Sequence, residues 1–286
     1  MMTWLRKLYP RLPVVKELLR IDYKLHVANL AQINSFMRSE LANSPRYRDS
    51  RKLNHHEHQV FSQGGEDGIV AEIFRRIGTK DRYFVEFGVG GGIENNTVFL
   101  LFQNWRGAWI EGDAACAAEI QSRFRAPLSD GRLKFIQSFI TAENIESLFN
   151  QLNVPTEFDL LSVDIDRNTF HVWKALRRFK PRVLVVEYNA TLPADVEWVA
   201  SYDAGKVWNN SCYYGASLKA CERLASELGY ALVGCDFSGN NAFFVRQTEK
   251  LELFADPFTA EHHYEPPRYW TIRREAHFRC FDDRNP

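Results

Sequence analysis

Five short clusters hold the side chains best suited to chemistry, and each directly follows a run of β-forming residues. The first reads Glu86-Phe-Gly88-Val-Gly90-Gly-Gly92. Glycines permit the positive φ of a tight turn and let a ligand lie against bare backbone. A dinucleotide fingerprint, G-x-G-x-x-G/A, needs a small residue where this chain has Ile93, so a pyrophosphate is disfavoured. The plain alternative to a ligand is a crowded strand-to-helix junction. The second cluster is Glu111-Gly-Asp113. A carboxylate at a strand end offers two acceptor oxygens to the vicinal hydroxyls of a ribose, the role expected of Glu111. Asp113 either joins it or caps the helix that follows. After the next run, Ser138-Phe139 offers a hydrogen bond and an aromatic face to a purine ring, unless Phe139 belongs to the core.

The remaining clusters are Ser162-Val-Asp164-Ile-Asp166 and Val186-Glu187-Tyr-Asn189. In an open α/β sheet, ligands collect at the carboxyl ends of strands near the switch in strand order, so Asp164 and Glu187 should face one crevice. Two carboxylates there would align a hydroxyl nucleophile and accept its proton, or would share a divalent cation such as Mg²⁺ with Asn189. The bland reading has Asp166 capping the next helix and Glu187 accepting backbone amides. Upstream, in Phe61-Ser-Gln-Gly-Gly-Glu-Asp67, Gln63, Glu66 and Asp67 either cap a helix or close over a ligand. The aromatic and polar stretch 208–216, opening with Trp208, fits a substrate lid or aromatic packing under a loop. Gln63, Asp166, Asn189 and Trp208 are thus the candidate acceptor contacts. The histidines of 54–58 and 261–264 have no zinc spacing and are expected in solvated loops.

Positioning these clusters requires strands ending just before them. β-rich runs lie at 82–87, 108–111, 134–137, 159–164, 182–187, 230–235 and 242–246, separated mostly by helical periods. Ile145/Leu148/Phe149/Leu152, Val172/Ala175/Leu176/Phe179 and Cys221/Leu224/Ala225/Leu228 each place four apolar side chains on one helical face, as does Ile69/Ile73/Phe74/Ile77. A further helix is expected to begin near 95–97, and another over 114–124. The last two runs are too close for a helical crossover and should form an antiparallel hairpin. The pattern predicts a seven-stranded, mostly parallel α/β sheet with that terminal hairpin and helices on both faces.

The chain has 286 residues, 45% of them apolar and 25% charged, which fits a packed globular protein and excludes a largely disordered one. Lys+Arg and Asp+Glu number 36 each, so no global positive field gathers nucleic acid. Five scattered cysteines without a C-x-x-C pair indicate neither a zinc ribbon nor a disulfide framework and suit a reducing, cytoplasmic setting. No run serves as a signal or membrane span. A polar stretch at 44–58 separates an expected N-terminal helical arm, 1–58, from a main domain, 59–247, followed by an extension, 248–286. The basic arm suits weak peripheral contact with a membrane, a partner or its own domain. A homo-oligomer is left open.

Together the clusters resemble the FkbM-like group of class I S-adenosylmethionine-dependent methyltransferases, through FSQGGEDG, YFVEFGVGGGIENNT, WRGAWIEGD, LLSVDID, VLVVEYNA, YGASLKACERLASELGY and GNNAFFV. The resemblance runs from about Val60 to Arg246. It implies a Rossmann-like sheet in the order 3-2-1-4-5-7-6, S-adenosylmethionine as methyl donor, and O-methylation of sugars or secondary-metabolite hydroxyls. Glu86, Gly88, Gly90 and Gly92 fall on the cofactor loop, Glu111 on the ribose carboxylate and Asp164 on the acidic position after the fourth strand. Two features depart from related patterns. Arg167 stands where a small residue follows D-x-D, and Tyr188 interrupts the doublet that metal-dependent relatives place after the fifth strand. A non-catalytic interaction module using the arm and the tail 268–279, and a nicotinamide oxidoreductase, are the competing readings.

Overall fold

The computed structural model describes residues 13–272. The chain divides at Arg48/Asp49 into two compact units. The first contains a 31-residue helix, α1 (Pro13–Asn43). Among the described residues no helix is long and apolar enough to cross a membrane. Cys280 and much of the basic tail 268–279 lie outside the described residues.

The second unit is built on one seven-stranded sheet of order β3-β2-β1-β4-β5-β7-β6. Its strands are β1 (Tyr83–Phe87), β2 (Arg106–Glu111), β3 (Leu133–Gln137), β4 (Glu157–Val163), β5 (Lys180–Glu187), β6 (Tyr230–Cys235) and β7 (Asn241–Arg246). The first five are mutually parallel, and β7 runs antiparallel between β5 and β6. A parallel sheet is covered on both faces, so its central strands read as unbroken apolar runs. Residue alternation divides them between two cores. Val85, Phe87, Leu184 and Val186 fall in one apolar cluster, and Phe84, Val183 and Val185 in the other.

The helices cover those faces. They are α2 (Glu66–Ile77), α3 (Val98–Phe102), α4 (Ala114–Arg123), α5 (Arg125–Ser129), α6 (Ile145–Gln151), α7 (Thr169–Ala175), α8 (Leu218–Glu227) and α9 (Ala260–His263). Two end differently from the sequence expectation. The helix expected from 95–97 starts at Val98, because Asn95, Asn96 and Thr97 all bond to Glu86 instead. α7 stops at Ala175, and a turn from Leu176 O to Phe179 N carries Leu176 and Phe179 into the same buried cluster.

Segments flanking the sheet are part of this unit. Leu53 is fully buried in one core, and Asn54 Nδ2 donates to Cys235 O at 2.9 Å. Beyond β7, Phe254 and Ala260 are buried, and Tyr264 Oη donates to Ala190 O at 2.6 Å. The expected solvated histidine loop at 261–264 is corrected here: His263 is buried, with Nε2 3.1 Å from Ala255 O.

Candidate functional site

The carboxyl ends of β1, β2, β4 and β5 open on one edge of the sheet, where the crossing from β1 to β4 leaves a crevice. Gly88, just past β1, has φ +77°, and a Cβ there would lie 1.5 Å from Asp164 O. The turn after β1 and the end of β4 therefore meet backbone to backbone, which only glycine allows. Gly90, at φ +54°, has open space where a Cβ would be.

Around this turn lies a cavity of about 580 Å³ lined by Gly88, Gly90, Glu111, Asp113, Phe139 and Asp164, among others. Glu111 is 8% exposed and accepts the Gly90 N–H at 2.7 Å and the Asp113 N–H at 2.8 Å, which ties the glycine turn to the end of β2. Two acceptor positions of the carboxylate are left for a ligand. Asp113 is the cap of α4, accepting the Ala115 and Cys116 amides, bonds that hold its carboxyl below its usual range. Phe139 is 47% exposed on the cavity wall and so lies outside the core. Ser138 is not among the residues lining the cavity; its N–H donates to Glu111 O.

Two of the expected cofactor residues serve the scaffold. Glu86 is buried, and its oxygens accept from Asn95 Nδ2, the Asn96 and Thr97 amides, Thr97 Oγ1 and Ser162 Oγ. These bonds fix the chain leaving the glycine turn. Gly92 lines neither this cavity nor the next; a Cβ there would press on the Phe124 ring at 2.8 Å.

On the other side of Asp164 a cavity of about 520 Å³ is lined by Gln63, Asp166, Glu187, Trp208, Tyr214 and Tyr269, among others. Asp164 and Asp166 border both cavities. Asp164, Asp166 and Glu187 have carboxylate oxygens all within 4.8 Å of one another. Burial, then repulsion from Asp166, pushes the Asp164 carboxyl up to about 7. Burial and Asp164 push Glu187 well above its usual range, and burial raises Asp166. Glu187 shares a hydrogen bond with Asp164, while its Oε2 is buried without a partner. The bland reading, Glu187 on backbone amides and Asp166 as helix cap, is not what forms: Asn168 occupies the N-cap of α7, and Asp166 sits at φ +55° at the start of a 3₁₀ turn, Asp166–Asn168.

Asn189 does not complete this trio. Its Nδ2 donates to Cys212 O and Tyr214 O, and its Oδ1 accepts from the Thr191 N–H and hydroxyl, so it pins the 208–216 loop instead. Trp208 Nε1 donates within that loop, to Ser211 O. The Tyr214 and Tyr269 hydroxyls meet at 2.9 Å and close the far wall. Sequence reasoning did not single out Tyr269, Asn240 or Asn241. All three reach the site from segments at or after the hairpin, and only the antiparallel insertion of β7 beside β5 brings them there.

The strand order and the terminal antiparallel hairpin define a Rossmann-like class I methyltransferase fold. No known family model matches the chain, and no curated protein matches it. Solved structures do. The O-methyltransferase from Bacillus cereus, in complex with S-adenosylhomocysteine, is 15% identical over 76% of this chain and 89% of its own, with a TM-score of 0.42. A Staphylococcus aureus protein assigned as a caffeoyl-CoA O-methyltransferase is 12% identical over 77% of this chain and 99% of its own, at 0.46. The glycopeptide N-methyltransferase MtfA, with S-adenosylmethionine, is 13% identical over 63% of this chain and 92% of its own, at 0.37.

Proposed function

We propose that this chain is an S-adenosylmethionine-dependent methyltransferase acting on a hydroxyl of a sugar, glycan or secondary metabolite. The observation that carries the reading is the position of Asp164. It is a carboxyl raised to about 7 that borders both the cavity of Glu111 and the aromatic cavity of Trp208 and Tyr214. The residues suit the cofactor: Glu111 has acceptor capacity for two ribose hydroxyls, Gly90 leaves bare backbone, and Phe139 offers an exposed ring to a purine. When bound, S-adenosylmethionine supplies a methyl group on a sulfonium, whose positive charge is dispersed as the methyl moves to oxygen.

The chain's own tasks are then few. Alignment of the acceptor oxygen in line with the sulfur matters more than an oxyanion hole. Asp164, ionised above about pH 7, accepts a hydrogen bond from the acceptor hydroxyl and takes its proton at Oδ as the oxygen becomes an ether. Glu187, held protonated by burial and by Asp164, donates to that carboxylate and orients it. The 208–216 loop and Tyr269 exclude water from the acceptor side.

A second reading has metal assistance, favoured by the unpartnered Glu187 Oε2 beside two more carboxylates. Asp164, Asp166 and Glu187 form an all-oxygen set suited to Mg²⁺, which would lower the pKa of a bound hydroxyl. The deciding experiment measures methyl transfer from S-adenosylmethionine to a panel of hydroxyl acceptors. Asp164→Asn, which keeps size and removes basicity, is expected to cut turnover by about 10²-fold or more while S-adenosylhomocysteine still binds. Loss of turnover in EDTA selects the metal branch. Binding without any methyl transfer across the panel would favour a non-catalytic module, and absence of binding would return the nicotinamide reading to test.

A further inference from the structure

A third cavity, of about 320 Å³, lies between the glycine turn and α2. It shares Gly88, Gly90 and Asp164 with the cavity of Glu111, so one ligand can span both. Its charged lining is one-sided. Glu66, Glu86, Glu94, Glu119 and Asp164 stand against Arg123, whose guanidinium is paired with Glu119 at 2.8 Å.

Three of its side chains are more than nine-tenths buried: two hold an amide oxygen with no donor, and the third is a carboxylate with a protein donor on each oxygen. Glu66, 1% exposed, accepts from the Gly64 N–H at 2.8 Å and Asn241 Nδ2 at 3.2 Å, which leaves capacity on both oxygens. The Oδ1 atoms of Asn241 and Asn95 are buried without partners. Buried acceptors left in this state are costly unless a ligand brings the donors. Burial and the nearby Asp236 push the Glu66 carboxyl up to about 7, a protonation that an arriving cation would reverse. Glu86, although it lines the same cavity, has its oxygens occupied by the turn it stabilises.

We infer that Glu66, together with the amide oxygens of Asn241 and Asn95, receives the α-ammonium group at the amino-acid end of the cofactor, a cation with three N–H donors. The inference rests on the S-adenosylmethionine reading above. It adds a subsite whose charge comes from the segment before β1 and whose amides come from β7 and the chain after the turn. The glycine loop then supplies shape, and residues outside it supply the recognition of charge.

Calorimetry on the full chain tests this with three probes: S-adenosylhomocysteine, the same thioether with its amino group replaced by hydrogen, and 5′-methylthioadenosine, which lacks the amino-acid end. Glu66→Gln should weaken S-adenosylhomocysteine roughly tenfold to a hundredfold, the scale of one lost charge-assisted hydrogen bond. It should leave 5′-methylthioadenosine unchanged, and Asn241→Ala should act in the same direction. Equal weakening of both probes, or of neither, overturns the inference while leaving the cofactor reading intact. A wild-type protein that binds neither probe removes the cofactor reading and this inference with it. Should Glu66→Gln fail to fold, the wild type decides: the deaminated thioether is expected to bind much more weakly than S-adenosylhomocysteine, and equal affinity overturns the subsite.

Discussion

Two carboxylates at neighbouring strand ends meet different fates, and hydrogen bonding explains why. Glu86 is surrounded by donors from its own chain and becomes a fastener, whereas Glu111 meets two amides and keeps acceptor capacity toward the cavity. Glu111→Ala is therefore expected to weaken S-adenosylhomocysteine by about 1–3 kcal/mol, since two ribose hydroxyls lose their acceptor in a desolvated pocket. Unchanged affinity by calorimetry would displace Glu111 from the ribose. Asp164 carries a pH signature of definite sign. Its carboxyl titrates near 3.9 in the unfolded chain and at about 7 in the folded one, so the folded state binds the extra proton between those values. Its contribution to the stability of the ligand-free protein accordingly falls as pH rises from about 4 to 7, whereas turnover should rise around pH 7 as the base ionises. Asp164→Asn should flatten part of the decline in Tm between about pH 4 and 7. A parallel decline in both proteins would show that Asp164 is not the raised group.

At the scale of elements, the contact between the turn after β1 and the end of β4 sets the distance between the two cavities. Gly88→Ala places a methyl inside van der Waals distance of the Asp164 carbonyl and also strains a positive φ. The expected result is destabilisation by about 1–3 kcal/mol or more together with loss of cofactor binding. Gly131→Ala is the internal control, with φ +78° but nothing within 4 Å, and should cost only about 1–2 kcal/mol with binding retained. Equal effects in denaturant titrations would mean that backbone strain alone, not the β1–β4 approach, matters at Gly88. Strand positions were legible from the sequence because short apolar runs between helical periods mark them directly, and every observed strand end falls within two residues of expectation. The helix-forming periodicity in 172–179 overran, since buried apolar spacing continues through a turn as easily as through a helix. What stayed illegible was which oxygen meets which donor. Asn189 looks like a cation ligand by its place after β5 and is a loop fastener by its bonds, while Asp166 joins the trio through a left-handed backbone that its residue type does not announce.

Across the whole molecule, every residue of the three cavities belongs to the second compact unit, between Gln63 and Ile272. The polar stretch at 44–58 suggested a boundary near residue 58, yet the division falls ten residues earlier, at Arg48/Asp49. The difference has a physical cause. Leu53 is fully buried in the core that contains Phe84 and Val183, and the Asn54 side chain satisfies the carbonyl of Cys235 at the end of β6. Two truncations separate these boundaries. A chain beginning at Asp49 keeps both anchors and is expected to fold with unchanged S-adenosylhomocysteine affinity. One beginning at His55 removes a buried leucine and leaves a buried carbonyl without its donor, which should cost about 3–6 kcal/mol from the cavity and the unmade hydrogen bond together. For a unit of this size, at about 2–4 °C per kcal/mol, a loss of that size lowers Tm by about 6–24 °C. Equal melting temperatures for the two truncations would show that residues 49–54 are dispensable to the sheet. Loss of cofactor affinity in the longer one, with its fold intact, would place part of the site in the first forty-eight residues.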